Sequence, residues 1–364
     1  MRVYLGRGGR YALCALSAVA VAVALPQSVA VPAENEASQV PFVERYRAVQ
    51  HGGIVRAANA SVTCESAVTK TSASCAQVQK GGAGRNNNYE MTYVDVDKDP
   101  NTYNSSRAEL RLPKNANVTY ARLYWGGNLL AGEQKPSKDN GRVLLAEPGG
   151  DYKEVRADTT MGHRTAEGAD AYAASADVTE IVRYSGPGAF TVGQVNSAKG
   201  HSSPGTYGGW TLVVAYSDPS SPLRTLSVWD GFQTVNADRP DYFLELEELN
   251  VPAKGKGSLG LVAYDGDRGL GSNALGVAAD EGKPVMLRDT ANPADDAMNS
   301  TISTNGKTAA GRQPAHVNTL GYDSDVFDVT SAFKTGAEDL TVGFGTNKDG
   351  YHLGALFLQA DARR

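Results

Sequence analysis

Short apolar runs, separated by glycine and proline, recur along the chain. The segment NVTYARLYW alternates Ala121, Leu123 and Trp125 with Arg122 and Tyr124, which is the two-residue period of a strand with one buried face. Other short apolar runs are WTLVVAY, LGLVAY and LTVGF, and no long stretch has the period of an amphipathic helix. The 40 glycines and 16 prolines fit turns between many short strands. The pattern predicts an all-β protein.

One phrase occurs twice, as DVTEIVRYSGPGAFTVG from Asp177 and as DVTSAFKTGAEDLTVG from Asp328. Each Asp is expected to cap a single helical turn, supported at the first copy by Glu180, and each turn precedes a strand that begins Thr-Val-Gly. Matching segments flank both copies, LRLP and LNVP upstream, GGWTLVVAYSD and GYHLGALFLQAD downstream. This order predicts an internal duplication with two jelly-roll-like β-sandwich units, residues 91–236 and 237–364.

The first 30 residues have the features of a secretory signal peptide. Three arginines precede a run of 15 apolar or small residues, and Ser28 and Ala30 fit the small-residue cleavage pattern. The alternative, an uncleaved membrane anchor, needs roughly 20 apolar residues. We therefore expect a secreted protein that is not inserted in a membrane after cleavage. The mature chain would have 334 residues, and loss of the three arginines would change its formal net charge from −5 to −8. An acidic chain without clustered Lys and Arg argues against a nucleic-acid partner.

Residues 31–90 are predicted to form an N-terminal extension. The segment FVERYRAV followed by HGGIVRAANASVTC suggests a hairpin. Cys64 and Cys75 are the cysteines left after cleavage, and in an oxidising compartment such a pair favours a disulfide. A metal site is the alternative, but His51 is the nearest histidine in sequence.

The densest polar cluster is YVDVDKDPNTYNSS. It places Asp95, Asp97 and Asp99 at alternate positions, followed by Asn101 and Asn104. Oxygen ligands in such a pattern suit Ca²⁺, although the loop lacks the glycine and glutamate of an EF-hand. The alternative is a strand with an acidic solvent face. The sequence thus predicts a calcium site formed by these five residues.

Two weaker acidic clusters follow. One contains Asp265 and Asp267, and the other contains Asp323, Asp325 and Asp328, of which Asp328 is expected to cap its helical turn. The five histidines are scattered without zinc spacing, and no G-x-S-x-G or P-loop motif occurs. No pair of acids is singled out for glycoside hydrolysis.

The tryptophans differ in their predicted surroundings. Trp125 and Trp210 share a face with apolar neighbours, which places them in the core. Trp229 shares a face with Thr225 and Ser227, so it is a candidate to stack on a ligand. The alternative is that another strand or domain covers Trp229.

Several of these segments, namely YVDVDKDPNTYNSS, ARLYWGG, GGWTLVVAYSDPSSPLRTLSVWDGF, NPADDAMNSTIS and LGYDSDVFDV, resemble a family of secreted surface proteins of actinobacteria and other bacteria. Its members often carry this module ahead of extracellular β-sandwich repeats, and the family is of unknown function. The resemblance therefore implies an extracellular β-sandwich protein and transfers no catalytic residue.

Three functions fit these observations. The first is a non-catalytic protein that binds an extracellular surface, glycan or protein. The second is a secreted carbohydrate-active hydrolase, and a purely structural envelope protein is a third option. The lack of a recognisable nucleophile, metal motif or paired acids favours binding.

Overall fold

Strands make up most of the regular structure in the computed structural model, which describes residues 35–97 and 99–363. The predicted signal peptide, residues 1–30, lies outside these residues. The two α-helices among them are short, α1 (Cys75–Gln79) and α2 (Thr179–Ser185). The prediction of an all-β protein is confirmed.

The strands are numbered in chain order. They are β1 (Glu36–Ala37), β2 (Val40–Ala60), β3 (Val62–Ala67), β4 (Tyr89–Tyr93), β5 (Ser105–Leu110), β6 (Asn117–Asn128), β7 (Arg142–Ala146), β8 (Lys153–Arg156), β9 (Met161–Ala166), β10 (Ala169–Asp177), β11 (Gly188–Gly193), β12 (Gly208–Ser217), β13 (Leu223–Val235), β14 (Asp241–Leu246), β15 (Gly257–Tyr264), β16 (Asn273–Ala279), β17 (Val285–Met286), β18 (Ile302–Thr304), β19 (Lys307–Thr308), β20 (Arg312–Gln313), β21 (Tyr322–Asp328), β22 (Leu340–Thr346) and β23 (Tyr351–Asp361). Short 3₁₀ turns lie at Asn86–Asn88, Ser137–Asp139 and Thr330–Phe333.

A twelve-stranded central sheet runs through both predicted units. Its order is β1-β9-β10-β6-β12-β2-β13-β23-β15-β21-β18-β19. A first outer sheet has the order β20-β5-β11-β7-β8, and a second outer sheet has the order β14-β22-β16-β17. A separate pair joins β3 and β4. Because hydrogen bonds of the central sheet cross the predicted boundary at residue 236, the two units share one sheet.

The two halves repeat the same order of strands. In the first half β10-β6-β12 lie in the central sheet and β5-β11-β7-β8 in the outer sheet. In the second half the corresponding orders are β21-β15-β23 and β14-β22-β16-β17, all antiparallel. Superposition of the two halves, and hence the internal duplication, stays a prediction.

Both DVT turns have the same hydrogen-bonded setting. Asp177 accepts a hydrogen bond from the backbone N–H of Thr179 at 2.8 Å, and Asp328 accepts one from Thr330 at 2.8 Å. The Val N–H of each turn then donates to a carbonyl of the neighbouring strand, that of Ala121 in one half and that of Gly257 in the other. The helical turns themselves begin after Val178 and Val329, and neither helix is capped by a side chain. The predicted capping roles of Asp177 and Asp328 are therefore wrong, because each Asp closes a turn one residue earlier and Glu180 pairs with Arg183.

The central sheet is bent at β2, so that its two parts face each other. These parts are here called the wings: one contains β1-β9-β10-β6-β12, the other contains β13-β23-β15-β21-β18-β19, and β2 belongs to both. Five strand spacings separate β6 from β15, about 24 Å in a flat sheet. Yet a Cβ on Gly126 of β6 would lie 2.9 Å from the ring of Tyr264 in β15. Thr211 of β12 likewise hydrogen-bonds the hydroxyl of Tyr322 in β21 at 2.6 Å. The molecule therefore has four layers, with the two wings inside and an outer sheet on each side.

Three apolar cores separate these layers. Leu123 and Trp125 of β6 pack towards the first outer sheet, whereas Tyr124 of the same strand packs between the wings. The Arg122–Tyr124 face of this strand is buried as well, since Arg122 is 3 % and Tyr124 is 2 % exposed. A bent sheet covers both of its faces with protein.

The predicted hairpin in residues 42–64 is also wrong, because Val40–Ala60 is one strand of 21 residues in the middle of the central sheet. Its residues 40–51 pair with β13, and residues 52–60 pair with β12. At the change of partner a Cβ on Gly52 would lie 1.9 Å from the carbonyl oxygen of Tyr216. The glycines of HGG thus allow a close approach of two backbones rather than a chain reversal.

The predicted disulfide between Cys64 and Cys75 is confirmed, with a Cα–Cα distance of 5.5 Å. It attaches α1 to β3, and Ser74 begins the helix with a capping box shared with Gln77. Val78 and Tyr89 complete a small core around this bridge. No helix of the described residues has the length and apolar character needed to cross a membrane.

Loss of the disulfide is expected to destabilise the folded state. Closure of a loop of about 11 residues in the unfolded chain accounts for about 3 kcal/mol. The double variant Cys64→Ala/Cys75→Ala should therefore lose about 2–3 kcal/mol of unfolding free energy, measured by urea titration at pH 7. An unchanged urea midpoint would show that the bridge adds no stability.

His352 of β23 lies between the wings and is 7 % exposed. Its ring stacks on Phe232 with centroids 5.2 Å apart, and its Nδ1 hydrogen-bonds Thr234 at 2.9 Å. Burial, and secondarily the positive charge of Arg164, lowers the pKa of His352 from 6.5 to about 4. The folded state thus holds His352 neutral at a pH where the unfolded chain protonates it.

The contribution of His352 to the stability of the protein should accordingly be lost as the pH drops from about 6.5 towards 4. The contribution of His352 is roughly 3 kcal/mol, from about 1.4 kcal/mol for each unit of pKa difference. The variant His352→Gln should show a smaller loss of unfolding free energy between pH 7.5 and pH 4.5 than the natural chain. The exposed His51 provides the control, and His51→Gln should keep the full pH dependence. Equal slopes for all three proteins would refute this role of His352.

Candidate functional site

A cleft with a cavity volume of about 270 Å³ opens beside the first outer sheet. Four segments form it: the residues around Tyr103 that precede β5, the segment 135–144 that leads into β7, Glu154 of β8, and the residues that follow β11. Val143 and Leu144 give it a partly apolar wall, while amide and charged side chains supply most of the remaining lining. Such a mixture is typical of sites for small polar ligands.

Buried asparagines hold three of these segments together. Asn104 brackets Val195, donating to its carbonyl at 2.7 Å and accepting from its N–H at 3.0 Å. Asn196, 2 % exposed, donates to the carbonyl of Pro136 at 2.9 Å and to the side chain of Asn140 at 2.9 Å. The cleft is therefore fixed by hydrogen bonds within the chain before any ligand enters.

Gln194 lies in the cleft with a strained backbone. Its φ of 61° falls in the left-handed region, which is uncommon for residues other than glycine. Its side-chain amide donates to the carbonyl of Asn101 at 2.5 Å, and its N–H donates to the carbonyl of Asn104 at 3.1 Å. Strain of this kind is concentrated at functional sites.

Charged groups of both signs face the cleft. The guanidinium of Arg142 lies 2.8 Å from Asp139 and 3.9 Å from Glu154. The side chains of these three residues stay partly exposed, at 51 %, 28 % and 40 %. The cleft can thus offer several N–H donors and carboxylate acceptors side by side to a polar ligand.

An aromatic and cationic wall closes one side. The rings of Tyr93 and Tyr103 lie 5.0 Å apart, and Nζ of Lys135 lies 3.9 Å from the centroid of Tyr103. Lys135 also pairs with Glu133 at 3.7 Å, and Glu133 accepts a hydrogen bond from Tyr93. Burial, and secondarily the charges of Asp139 and Glu133, raises the pKa of Tyr103 above its usual value. The phenol therefore stays protonated and donates to the carbonyl of Val195.

The predicted calcium loop adjoins this cleft, and its acids accept hydrogen bonds from the loop itself. Asp95 accepts from Ser105 at 3.0 Å, and Asp99 accepts from the N–H and the side chain of Asn101, both at 2.8 Å. Asp97 accepts from the N–H of Asp99 at 2.9 Å and from Tyr152.

Burial alone would raise the pKa of Asp97, but hydrogen bonds, that from Tyr152 foremost, outweigh it and lower this pKa. Asp97 and Asp99 both line a second cavity of about 600 Å³. Asn104 does not join these acids, because its side chain bonds the backbone of Val195. Within residues 35–97 and 99–363, no three His, Cys, Asp or Glu side chains converge as a metal would require. The calcium site at this loop stays a prediction.

Asp265 and Asp267, the second acidic cluster, lie where residues near Asn86 contact the second half of the chain. The side chain of Asn86 donates to Asp265 at 2.8 Å, and its N–H donates to Asp267 at 3.0 Å. Burial, followed by the charge of Asp349, raises the pKa of Asp267 well above its usual value.

The structure corrects the interpretation of Trp229 as a ligand platform. Its side chain packs into the core of the second half and is 5 % exposed, with the guanidinium of Arg47 5.9 Å from its ring centroid. A sugar cannot reach this ring. Other parts of the chain cover Trp229, which was the alternative to a ligand platform. Trp125 and Trp210 are fully buried, as predicted.

Most of the cleft residues escaped the sequence analysis. Tyr103 and Asn101 belong to a segment that was singled out for its acids. Arg142, Glu154 and Gln194 are far apart in sequence, and only the pairing of β7, β8 and β11 brings them together. Their sequence neighbourhoods contain no motif that would identify them.

These features define an all-β protein with a preformed polar cleft. A family model described as "Protein of unknown function (DUF3344)" matches residues 76–259, just over half of the chain, and the chain belongs to this family. The match includes the loop predicted to bind calcium and the whole cleft. No curated protein matches the chain. The resemblance to a family of unknown function is confirmed, whereas the bacterial cell surface as its location stays a prediction.

Proposed function

We propose that this protein is an extracellular, non-catalytic binding protein that holds a short glycan in the cleft between Tyr103, Arg142 and Gln194. The observation that carries this proposal is the grouping of a guanidinium, two carboxylates and side-chain amides in a concave site of about 270 Å³. Sugars present adjacent hydroxyl groups, and planar side chains of these types bind such groups through paired hydrogen bonds.

The shape of the site favours a small ligand over a protein partner. Stable protein partners bury about 800 Å² on each side of an interface. The cleft is close to the lower end of the roughly 300–1000 Å³ that is typical of small-molecule sites. The hydrogen bonds of Asn104 and Asn196 already order the walls of the cleft. The loss of conformational entropy on ligand binding is therefore smaller.

Support for an extracellular location comes from two features. The first 30 residues have the composition of a secretory signal. The Cys64–Cys75 disulfide is typical of proteins that fold outside the cytosol.

A carbohydrate-active hydrolase is the second candidate, because Asp139 and Glu154 both line the cleft. In glycosidases two carboxyl groups flank the scissile bond. Here both acids face the same guanidinium, Arg142, which suits ligand binding better than proton transfer.

A binding screen tests the proposal directly. The mature chain is incubated with insoluble peptidoglycan, cellulose, xylan and chitin, and the bound fraction is measured after centrifugation. We expect retention on at least one polymer without release of reducing sugar. Arg142→Ala should weaken retention at least tenfold, since hydrogen bonds to a charged group contribute about 1.5–3 kcal/mol.

The control variant is Phe243→Ser, which alters an exposed apolar groove on the second outer sheet. It should retain the polymer like the natural chain. Retention that depends on Phe243 and not on Arg142 would place the binding site elsewhere. Release of reducing sugar that stops in Glu154→Gln would establish the hydrolase instead.

A further inference from the structure

The loop between β17 and β18 packs an unusual number of polar side chains into the protein interior. Asn292, Asn299 and Thr301 of this loop are at most 2 % exposed, and they face Asp325 of β21, which is fully buried. Buried polar groups are stable only when their hydrogen-bonding capacity is satisfied. The hydrogen-bond partners of each polar atom in this cluster therefore indicate whether a further ligand is needed.

A single hydroxyl group at the centre faces four acceptor oxygens. Oγ1 of Thr301 lies 2.8 Å from Oδ1 of Asn292, 3.0 Å from Oδ1 of Asn299, and 3.2 and 3.1 Å from the two carboxylate oxygens of Asp325. A hydroxyl has one proton to donate. Three of these four contacts consequently bring oxygen atoms together without a proton from Thr301 between them.

The two amides are oriented by their nitrogen atoms. Nδ2 of Asn299 donates to the carbonyl of Ala291 at 2.8 Å. Nδ2 of Asn292 donates to Asp289 at 3.2 Å and to Ser303 at 3.1 Å. Rotating either amide would exchange these bonds for contacts between two acceptors, so both oxygens are held towards Thr301.

A second buried carboxylate adjoins the cluster. Oδ1 of Asp323 accepts from the N–H of Asn299 at 3.0 Å and from that of Thr301 at 2.9 Å. Its Oδ2 is buried without a hydrogen-bond partner in the described chain, and Asp323 is 0 % exposed. Asp323 and Asp325 are two residues apart on β21, so both side chains point to the same face of the sheet.

We propose that Thr301, Asn292, Asn299 and Asp325, with Asp323 beside them, form a binding site for Ca²⁺. Calcium takes six to eight oxygen ligands at about 2.3–2.6 Å, and neighbouring ligands then lie about 2.9–3.4 Å apart. The distances around Thr301 lie close to this spacing. The two carboxylates supply the negative charge, and the amide and hydroxyl oxygens supply the neutral ligands.

Arg56 of β2 approaches the cluster from the other side. Its Nη2 donates to the carbonyl of Ser303, while Ser303 donates its N–H and its hydroxyl to Asp325 at 2.8 and 2.6 Å. Oδ1 of Asp325 accepts both of these bonds, which leaves Oδ2 as the oxygen that the proposed ion would use. Calcium at this position would fasten the loop 289–303 to β21, close to one edge of the central sheet.

Calcium binding to the chelator-treated mature chain tests the proposal, with isothermal titration of CaCl₂ as the measurement. We expect the natural chain to bind Ca²⁺, with the strongest site lost or weakened at least tenfold in Asp325→Asn and in Thr301→Val. Thr301→Ser keeps the hydroxyl and should bind normally. Asp97→Asn, in the loop 95–104, should retain this site.

Asn292→Asp provides a test that does not depend on a disabling change. The added carboxylate should tighten calcium binding and lower the melting temperature in chelator. Circular dichroism verifies the fold of each variant.

Two results would overturn the proposal. One is a natural chain that binds no calcium. The other is a calcium affinity that Asp325→Asn, Thr301→Val and Asn292→Asp all leave unchanged, as would follow if calcium binds elsewhere.

Discussion

The pairing of the long strand β2 with two different partners determines the architecture. Its residues 52–60 bond to β12 and its residues 40–51 bond to β13, so one strand belongs to both wings of the central sheet. Each half of the molecule would otherwise expose an unpaired edge, with free N–H and C=O groups. The bend of the sheet, the tyrosine-rich layer between the wings and the position of both outer sheets follow from this connection.

Because the wings face each other, polar groups are buried where a simple sandwich would present them to solvent. Arg122 is a clear case, since it is 3 % exposed and bonds Asp230 at 3.0 Å, which in turn binds Arg45 of β2 at 2.6 Å. A buried charge needs such partners, and losing one of them leaves the other unpaired. These ion pairs therefore make the packing of the wings specific.

The outer sheets are freer to carry function. The cleft lies beside the first outer sheet, where loops before β5, before β7 and after β11 are attached to a rigid framework. Binding residues are often carried by loops on such a scaffold. The second half repeats the strand order with different loops, and there the loop 289–303 buries several polar side chains. One plan of strands thus supports the proposed ligand cleft in one half and the proposed ion site in the other.

The sequence predicted local features well and long-range ones poorly. The strand periods and the Cys64–Cys75 bridge depend on residues close together in sequence, and they are as expected. The role of Gly52 and the burial of Trp229 depend on which strands become neighbours. A polar strand face is predicted from the sequence to be exposed to solvent. Here the facing wing or the long strand β2 covers it. The cleft was missed for the same reason, because its residues come from four separate segments without a shared motif.

Because β2 pairs with both halves, they should unfold together as one cooperative unit. Differential scanning calorimetry of the mature chain measures this directly, by comparing the calorimetric enthalpy with the van't Hoff enthalpy of unfolding. The shared strand predicts one transition in which the two enthalpies agree. Two separate transitions, each with about half of the total enthalpy, would contradict it and would show that the halves are independent domains.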